Sequence, residues 1–227
     1  MEKSKVIELS HVMIPGKEPF KLETTVVDVT TVLPEVKHRP DVWYVLGEVT
    51  YCTHIGTHIE VPFHHVKKGQ NVAEFPVHKL VGPLVVLDFS HKKHKEPITL
   101  DELREFEKKI RAGDIVFFRT GMDALFRTPR WNEQPYLTIE ANQWLIDKEI
   151  ACVGTDAGGM EVPGTETQPN HQAIFEAGIP MVESLTHLDK LDPKAPYIVF
   201  ILPLAIEGLE ASPLRVIAIR REDLHEV

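Results

Sequence analysis

Three histidines and one glutamate fall within residues 54–64, which read HIGTHIEVPFH, and this stretch restricts the local structure more than any other part of the sequence. The interval of four residues between His54 and His58 would place both side chains on one face of a helix. However, Gly56, Pro62 and the β-branched residues between them disfavour a helix. The stretch is therefore predicted to be extended.

An extended chain points alternate side chains to opposite faces. One face of the stretch would then be polar, with His54, His58, Glu60 and His64, and the other apolar, with Ile55, Ile59, Val61 and Phe63. In a straight strand the Cα atoms of His54 and His58 would lie about 13 Å apart at ~3.3 Å per residue, too far for two ligands of one ion. We therefore expect a bend between them, and Gly56 is the residue that most easily allows it.

Imidazole and carboxylate groups suit zinc, manganese or iron, so His54, His58 and Glu60 form a predicted three-ligand set with positions left for water and substrate. Two other interpretations remain: solvated or core histidines in a chain with 12 histidines, and a closed structural zinc site. Closed sites generally use four ligands rich in cysteine, whereas Cys52 and Cys152 lie far apart in sequence. We predict that neither cysteine is a ligand and that the two form no essential disulfide. Solvated positions are predicted for His65, His78, His91 and His94.

The overall charge and hydropathy exclude several classes of partner. The formal net charge is -9 and the basic residues are scattered, so the chain lacks the positive surface that nucleic acid requires. No segment approaches the ~20 apolar residues of a membrane helix. Residues 1–5 are largely charged rather than apolar, and cysteines are few, which is typical of a reducing cytoplasm. We expect a cytoplasmic protein that acts on a small molecule and binds neither nucleic acid nor membrane.

Short apolar segments separated by turn residues predict strands along the whole chain, at residues 5–9, 24–32, 42–51, 84–89, 114–118, 150–154, 179–183, 197–204 and 215–220. Three capped helices are predicted, from Thr99 with its capping-box partner Glu102 to before Gly113, from Thr138 to near Lys148, and from Asn170 through residues 171–177. The loop of residues 155–170 is the predicted functional loop. A β-rich first half followed by β/α units predicts a single α/β domain over residues 1–227.

The pattern His54-x-Gly56-Thr57-His58-x-Glu60-x-Pro62-x-His64 resembles the signature of the cyclase family of metal-dependent hydrolases, which includes bacterial kynurenine formamidases and isatin hydrolase. Supporting matches extend over nearly the whole chain, at residues 9–11, 170–175, 178–185, 202–204 and 212–216. The long histidine pattern is the most specific of these.

The resemblance implies that His54, His58 and Glu60 bind a first ion, zinc or manganese. It further implies that His171 and Glu183 complete a second metal position that shares Glu60. The family pattern usually has aspartate where Glu60 stands, and the extra methylene of glutamate favours coordination of one ion over bridging of two. A swivelling β/β/α fold with mixed sheets and flanking helices, assembled as a homodimer or homotetramer, is also implied.

A bound divalent ion can lower the pKa of its water toward ~7 and polarise the carbonyl group under attack. His64 lies beyond Pro62 on the ligand face, and the resemblance makes it the catalytic acid/base, a role that a reference pKa of ~6.5 suits. No Gly-x-Ser-x-Gly elbow for a serine nucleophile occurs in the chain. The predicted function is therefore hydrolysis of an amide-type C–N bond in an N-formyl-aryl amine or a cyclic amide. The alternatives are metal-assisted ring closure or lactone hydrolysis, and a non-catalytic metal-binding relative.

Overall fold

A computed structural model describes residues 5–225 of the chain. In chain order the strands are β1 (Val6–Glu8), β2 (Leu22–Asp28), β3 (Val45–Tyr51), β4 (His58–Glu60), β5 (Val81–Asp88), β6 (Pro97–Ile98), β7 (Ile115–Arg119), β8 (Tyr136–Leu137), β9 (Cys152–Thr155), β10 (Met181–Glu183), β11 (Tyr197–Pro203) and β12 (Ala211–Arg220). The α-helices are α1 (Val29–Val32), α2 (Leu100–Arg104), α3 (Ile139–Asp147) and α4 (Pro169–Glu176).

The main sheet closes on itself. Its strand order is β1-β12-β11-β5-β7-β9-β10-β4, and β4 also pairs with β12, so that seven strands form a ring with β1 attached outside it. Strands β5, β7, β9 and β10 are parallel, whereas β4, β11 and β12 join them through antiparallel pairings. The short strand β4 therefore lies between β10 and β12, with a neighbour on each edge.

Alternation along the strands divides the core into two layers. Ile115 and Phe117 of β7 belong to a cluster that contains residues from the strands but none from the α-helices, which places it inside the ring. Val116 and Phe118 point the other way and pack with Leu145 of α3 and other helix residues. This period of two is the one that a pleated strand imposes, and it puts the α-helices against the outer face of the sheet.

The prediction of a mixed α/β chain is confirmed. The capping box of Thr99 is present, and Thr138 caps α3 through a bond from the amide of Ala141. The helix after Thr99 is shorter than predicted, because the α-helix ends at Arg104 and residues 107–109 form a 3-10 turn. The swivelling β/β/α arrangement and the single domain over residues 1–227 stay predictions, and residues 1–4 and 226–227 lie outside the described range.

Two further predicted boundaries are wrong. The predicted strand at residues 24–32 ends at Asp28, whose side chain accepts from the amide of Thr30 and starts the short helix α1. Asn170 does not cap α4. The cap position is Gln168, Pro169 takes the first turn, and the side-chain Nδ2 of Asn170 donates to the carbonyl oxygens of Leu137 and Met160 instead. In both places a local side-chain contact or a proline sets the boundary, not the apolar periodicity.

Strands β2 and β3 form a separate antiparallel hairpin. Two of its valines are exposed, Val26 (60%) and Val49 (57%), and the segment that connects β2 to β3 exposes Trp43 (85%). A two-stranded hairpin is marginally stable on its own, so this exposed surface is unusual. No helix within residues 5–225 is long and apolar enough to cross a membrane.

Candidate metal centre

The chain bends sharply before β4. Gly56 has a φ of +57°, in the left-handed region that glycine adopts without strain. The bend confirms the expected break between His54 and His58, and it turns the His54 ring toward the Glu60 carboxylate, with Nδ1 2.8 Å from Oε1. The extended prediction holds for β4 itself, but His54 precedes the strand and His64 lies in a 3-10 turn (Pro62–His64) after it.

Within β4 the alternation is as expected. Ile59 packs inside the ring, while His58 and Glu60 point to the outer face, toward α4. Strand β10 pairs with β4 so that Glu183 is opposite His58, and His58 Nε2 lies 3.6 Å from Glu183 Oε2. Helix α4 supplies His171 from the other side, with its Nε2 3.4 Å from Glu183 Oε1 and 4.0 Å from Glu60 Oε2.

Among the described residues two groups of side chains could hold a metal ion, and Glu60 belongs to both. The first is His54, His58 and Glu60, and the second is Glu60, His171 and Glu183; in each group the ligand atoms lie within 4.8 Å of one another. The structure thus brings together all five residues that the sequence analysis proposed as ligands. Glu60 stands where the family usually has aspartate, yet its carboxylate lies close enough to the other side chains to belong to both groups.

Two atoms of this cluster test whether the residues fit a metal ion. His58 Nε2 and Glu60 Oε2 are buried and have no hydrogen-bond partner. Leaving a buried polar atom unpaired costs ~1–3 kcal/mol, and more for a charged group. Since a divalent cation would give both atoms a partner, the donor set fits a metal ion bound by oxygen and nitrogen.

The electrostatics agree with a site for a cation. Burial raises the pKa of Glu60, but the hydrogen bond from His54 and the nearby imidazoles of His58 and His171 outweigh burial and hold this pKa well below its usual range. Burial lowers the pKa of His171, yet hydrogen bonds to Glu161 and Glu183 and nearby carboxylate charge raise it to about 10. An ionised Glu60 therefore lies beside a protonated His171, and a bound cation would displace the histidine proton.

His64 lies at the edge of the cluster and is in neither group. Its Nε2 is 3.8 Å from Glu60 Oε1, and its ring is 4.7 Å from that of His54. Burial lowers the pKa of His64, so that the imidazole is neutral at neutral pH and can accept a proton. Its place beside the ligands suits proton transfer better than coordination.

Three nearby residues were not expected at the site. His65 was predicted to be solvated, but it is half-buried and its ring stacks on that of His171 with centroids 5.7 Å apart. The prediction was wrong because it assumed strand alternation, whereas residues 62–64 form a 3-10 turn. Glu161 lies 2.9 Å from His171 Nδ1, and Glu210 lies 3.2 Å from His54 Nε2. Glu161 falls in the predicted functional loop, whereas no sequence signal marks Glu210.

The other predictions about single residues have simpler outcomes. The predicted solvation of His78, His91 and His94 is confirmed, since all three are exposed. Cys52 and Cys152 are free, and neither belongs to a candidate metal group.

A cleft of about 750 Å³ opens over the cluster. One wall carries Phe126 and Trp131, whose rings meet edge to face at 5.1 Å, and Phe20 faces the same space. Trp43 and Phe63 do not line this cleft. A cleft of this size with an aromatic wall and a few convergent polar groups suits a small aromatic ligand.

Gly159 is expected to be essential for the second group. Its φ is +103°, and a Cβ there would lie 2.9 Å from Glu183 Oε1 and 3.6 Å from His171 Cε1. Gly159→Ala should therefore displace Glu183, weaken metal binding and cost about 1–3 kcal/mol of stability from backbone strain. Metal titration and thermal unfolding measure the two effects.

The matched control is Gly164→Ala. Gly164 has a φ of +78° but nothing within 4 Å of an added Cβ. This variant should lose stability through backbone strain while keeping its metal affinity. Wild-type metal affinity in Gly159→Ala would contradict the expected role of this glycine.

Known proteins resemble this chain in sequence and in fold. The family model described as "Putative cyclase" matches residues 7–162. A kynurenine formamidase of Bacillus cytotoxicus is 28% identical over 180 residues, covering 76% of this chain and 78% of the relative. Among solved structures, an isatin hydrolase bound to the product analogue thioisatinate superimposes with a TM-score of 0.81 at 23% identity, over 94% of this chain and 91% of that one. A structure described as a "predicted metal-dependent hydrolase from Bacillus stearothermophilus" has a TM-score of 0.74 at 27% identity, over 95% and 98% of the two chains.

Proposed function

The chain belongs to the putative cyclase family, and from this membership we propose that it is a metal-dependent hydrolase of amide-type C–N bonds other than peptide bonds. The observation that carries the proposal is the pair of buried, unpartnered atoms His58 Nε2 and Glu60 Oε2 beside His171 and Glu183. Similarity to a kynurenine formamidase and to metal-dependent hydrolases supports the same reaction class.

In this proposal His54, His58 and Glu60 hold one divalent ion, and His171 and Glu183 hold a second together with Glu60. Such an ion, when bound, supplies a more acidic water and polarises the carbonyl group under attack. The protein itself fixes the ligands on two paired strands, on one helix and at the bend before β4, so that little reorganisation is needed when substrate binds.

His64 is the proposed acid/base. Breaking the C–N bond requires a proton on the leaving nitrogen, and a positioned imidazole can take a proton from water and return it to the amine. His64 is close to the cluster but outside both ligand groups, which leaves its ring available for this transfer.

An N-formyl-aryl amine or a cyclic amide fused to an aromatic ring is the proposed substrate. Phe126 and Trp131 offer ring faces and edges in the cleft over the cluster. An aromatic substrate would bury much of its surface against this wall, while its carbonyl group reaches the polar floor.

The test is a substrate panel of formanilides, isatins and lactones, assayed with protein loaded with zinc or with manganese. We expect hydrolysis of formanilides or isatins and slower turnover of lactones. Preferred turnover of lactones would favour the lactone alternative, and protein that binds metal but turns over none of these compounds would contradict the hydrolase proposal. The identity of the ion, zinc or manganese, follows from the same assay.

We also propose assembly as a homodimer or homotetramer, in the cytoplasm. The exposed apolar residues Val26, Val49 and Trp43 on or beside the hairpin of β2 and β3 support self-association, because exposed patches of this kind commonly mark interfaces. Light scattering on the purified protein measures the assembly, and a monomer at micromolar concentration would contradict it.

A further inference from the structure

In each candidate ligand histidine, one ring nitrogen faces the cluster and the other contacts an oxygen of the protein. For His58 the partner is a backbone group, with Nδ1 3.0 Å from the carbonyl oxygen of Gly56. For His171 and His54 the partner is a carboxylate that belongs to neither ligand group. Each metal position therefore contains one histidine whose ring contacts a carboxylate from outside both ligand groups.

Glu161 is held firmly behind His171. Its carboxylate accepts from the backbone amides of Asn170 (3.0 Å) and His171 (3.1 Å) at the start of α4, and from the amide of Val162 (2.8 Å). The same Oε2 that accepts from the His171 amide lies 2.9 Å from the His171 ring at Nδ1. Because so many donors converge on it, this carboxylate fixes both the helix start and the ring that projects from it.

Glu210 has the corresponding place behind His54. It immediately precedes β12, accepts from Thr53 Oγ1 at 2.6 Å, and lies 3.2 Å from His54 Nε2. The opposite nitrogen of the ring, Nδ1, faces Glu60. The carboxylate thus holds the ring from the side that faces away from the cluster.

We propose that Glu161 and Glu210 are positioning residues, each of which orients one histidine of a different metal position: Glu161 orients His171 and Glu210 orients His54. The inference rests on the proposed function, since it assigns these residues a role toward a bound ion. A neutral imidazole has one protonated nitrogen, and a carboxylate that accepts this N–H leaves the lone pair of the other nitrogen for the metal. It also fixes the ring plane and raises the basicity of the ligand.

The two carboxylates come from separate segments, so their effects can be measured separately. Glu161 lies in the loop before α4, and Glu210 lies in the loop between β11 and β12. Glu161→Gln replaces one acceptor oxygen with an NH₂ group that faces donors, and Glu210→Gln does the same beside Thr53 and His54. Glu166→Gln and Glu207→Gln, at exposed positions of the same two loops, are matched controls.

The experiment titrates metal-free wild-type protein and each variant with Zn²⁺ in competition with a chelating dye, and locates the ions by anomalous diffraction from Zn²⁺-soaked crystals. We expect Glu161→Gln to weaken the position containing His171 by about 10- to 100-fold, the range typical of such outer partners, and to leave the other position unchanged. Glu210→Gln should give the reverse result. Both controls should match the wild-type protein.

Equal weakening of both positions by either variant, or wild-type affinities in both variants, would overturn the inference while leaving the proposed function standing. Binding of a single ion by the wild-type protein would also contradict the assignment of Glu161 and Glu210 to two different metal positions. Binding of no ion would contradict the proposed function as well.

The tautomers of the two histidines in the unsubstituted protein test the same proposal without a variant. In ¹⁵N NMR spectra of the zinc-loaded protein, His171 should be protonated at Nδ1 and His54 at Nε2. The opposite tautomer at either ring would contradict the proposed orientation.

Discussion

Replacing His58 with alanine is expected to abolish metal binding at the first position and to reduce turnover by about 10³-fold or more. The reason is geometric: His58 is buried on β4 between two paired strands, and its unpartnered Nε2 points to the cluster. A catalytic ion supplies several kcal/mol of transition-state stabilisation, and each ~1.4 kcal/mol corresponds to a factor of ten in rate. Elemental analysis and kcat/KM measure the two effects.

The fold should survive this substitution. The core inside the ring and the layer between sheet and helices contain neither His58 nor Glu60, so neither depends on the ion. Circular dichroism of His58→Ala should resemble that of the wild-type protein. The matched control is His78→Ala at an exposed position, which should keep metal and activity. Full metal content in His58→Ala would contradict the assignment of the site.

The second large effect is expected for His64→Asn. General acid/base groups typically contribute ~10²–10⁴-fold in rate, so kcat should fall by this order. Metal content should stay near the wild-type value, because His64 is in neither candidate group and its Nε2 is 3.8 Å from Glu60 Oε1. Rate and metal content must therefore separate in this variant.

His65→Asn is the control for His64, since the two rings lie 4.7 Å apart and His65 also contacts His171. We expect a smaller loss of kcat in His65→Asn than in His64→Asn. If His64→Asn loses metal in parallel with activity, His64 is a ligand. If His65→Asn shows the larger loss of kcat with its metal retained, His65 is the proton carrier.

Much of the metal cluster follows from local rules that a sequence contains. The alternation of β4 puts His58 and Glu60 on one face with Ile59 on the other, and the required bend falls at Gly56 with φ +57°. Capping by Thr99 and Thr138 is equally local. These features depend on neighbours a few residues away, and the structure confirms them.

His171 and Glu183 required more than local rules. From its position near a helix start, His171 is ordinarily a surface residue, and only the family resemblance placed it at the site. In the folded chain it is buried, because α4 packs against the outer face of the sheet where Glu183 ends β10. Periodicity describes which face a side chain takes but not which strand and helix meet.

Glu161 and Glu210 lay beyond sequence reasoning for the same reason. Glu210 is separated from His54 by 156 positions, and the register of β12 against β4 is what joins them. Glu161 accepts from the backbone amides of Asn170 and His171 at the start of α4, while the Asn170 side chain donates to the carbonyl oxygen of Leu137. Contacts between a carboxylate and a ligand histidine of this kind depend on which segments meet in the folded chain, not on a sequence motif.

The most direct test of the central claim is a metal titration of activity. Protein stripped of metal, with its metal content verified by elemental analysis, is titrated with Zn²⁺ or Mn²⁺ while hydrolysis of a formanilide or isatin is followed. We expect no turnover without metal, and turnover that rises in proportion to bound ion until the sites formed around Glu60 are filled. Full turnover by the verified metal-free protein would contradict it.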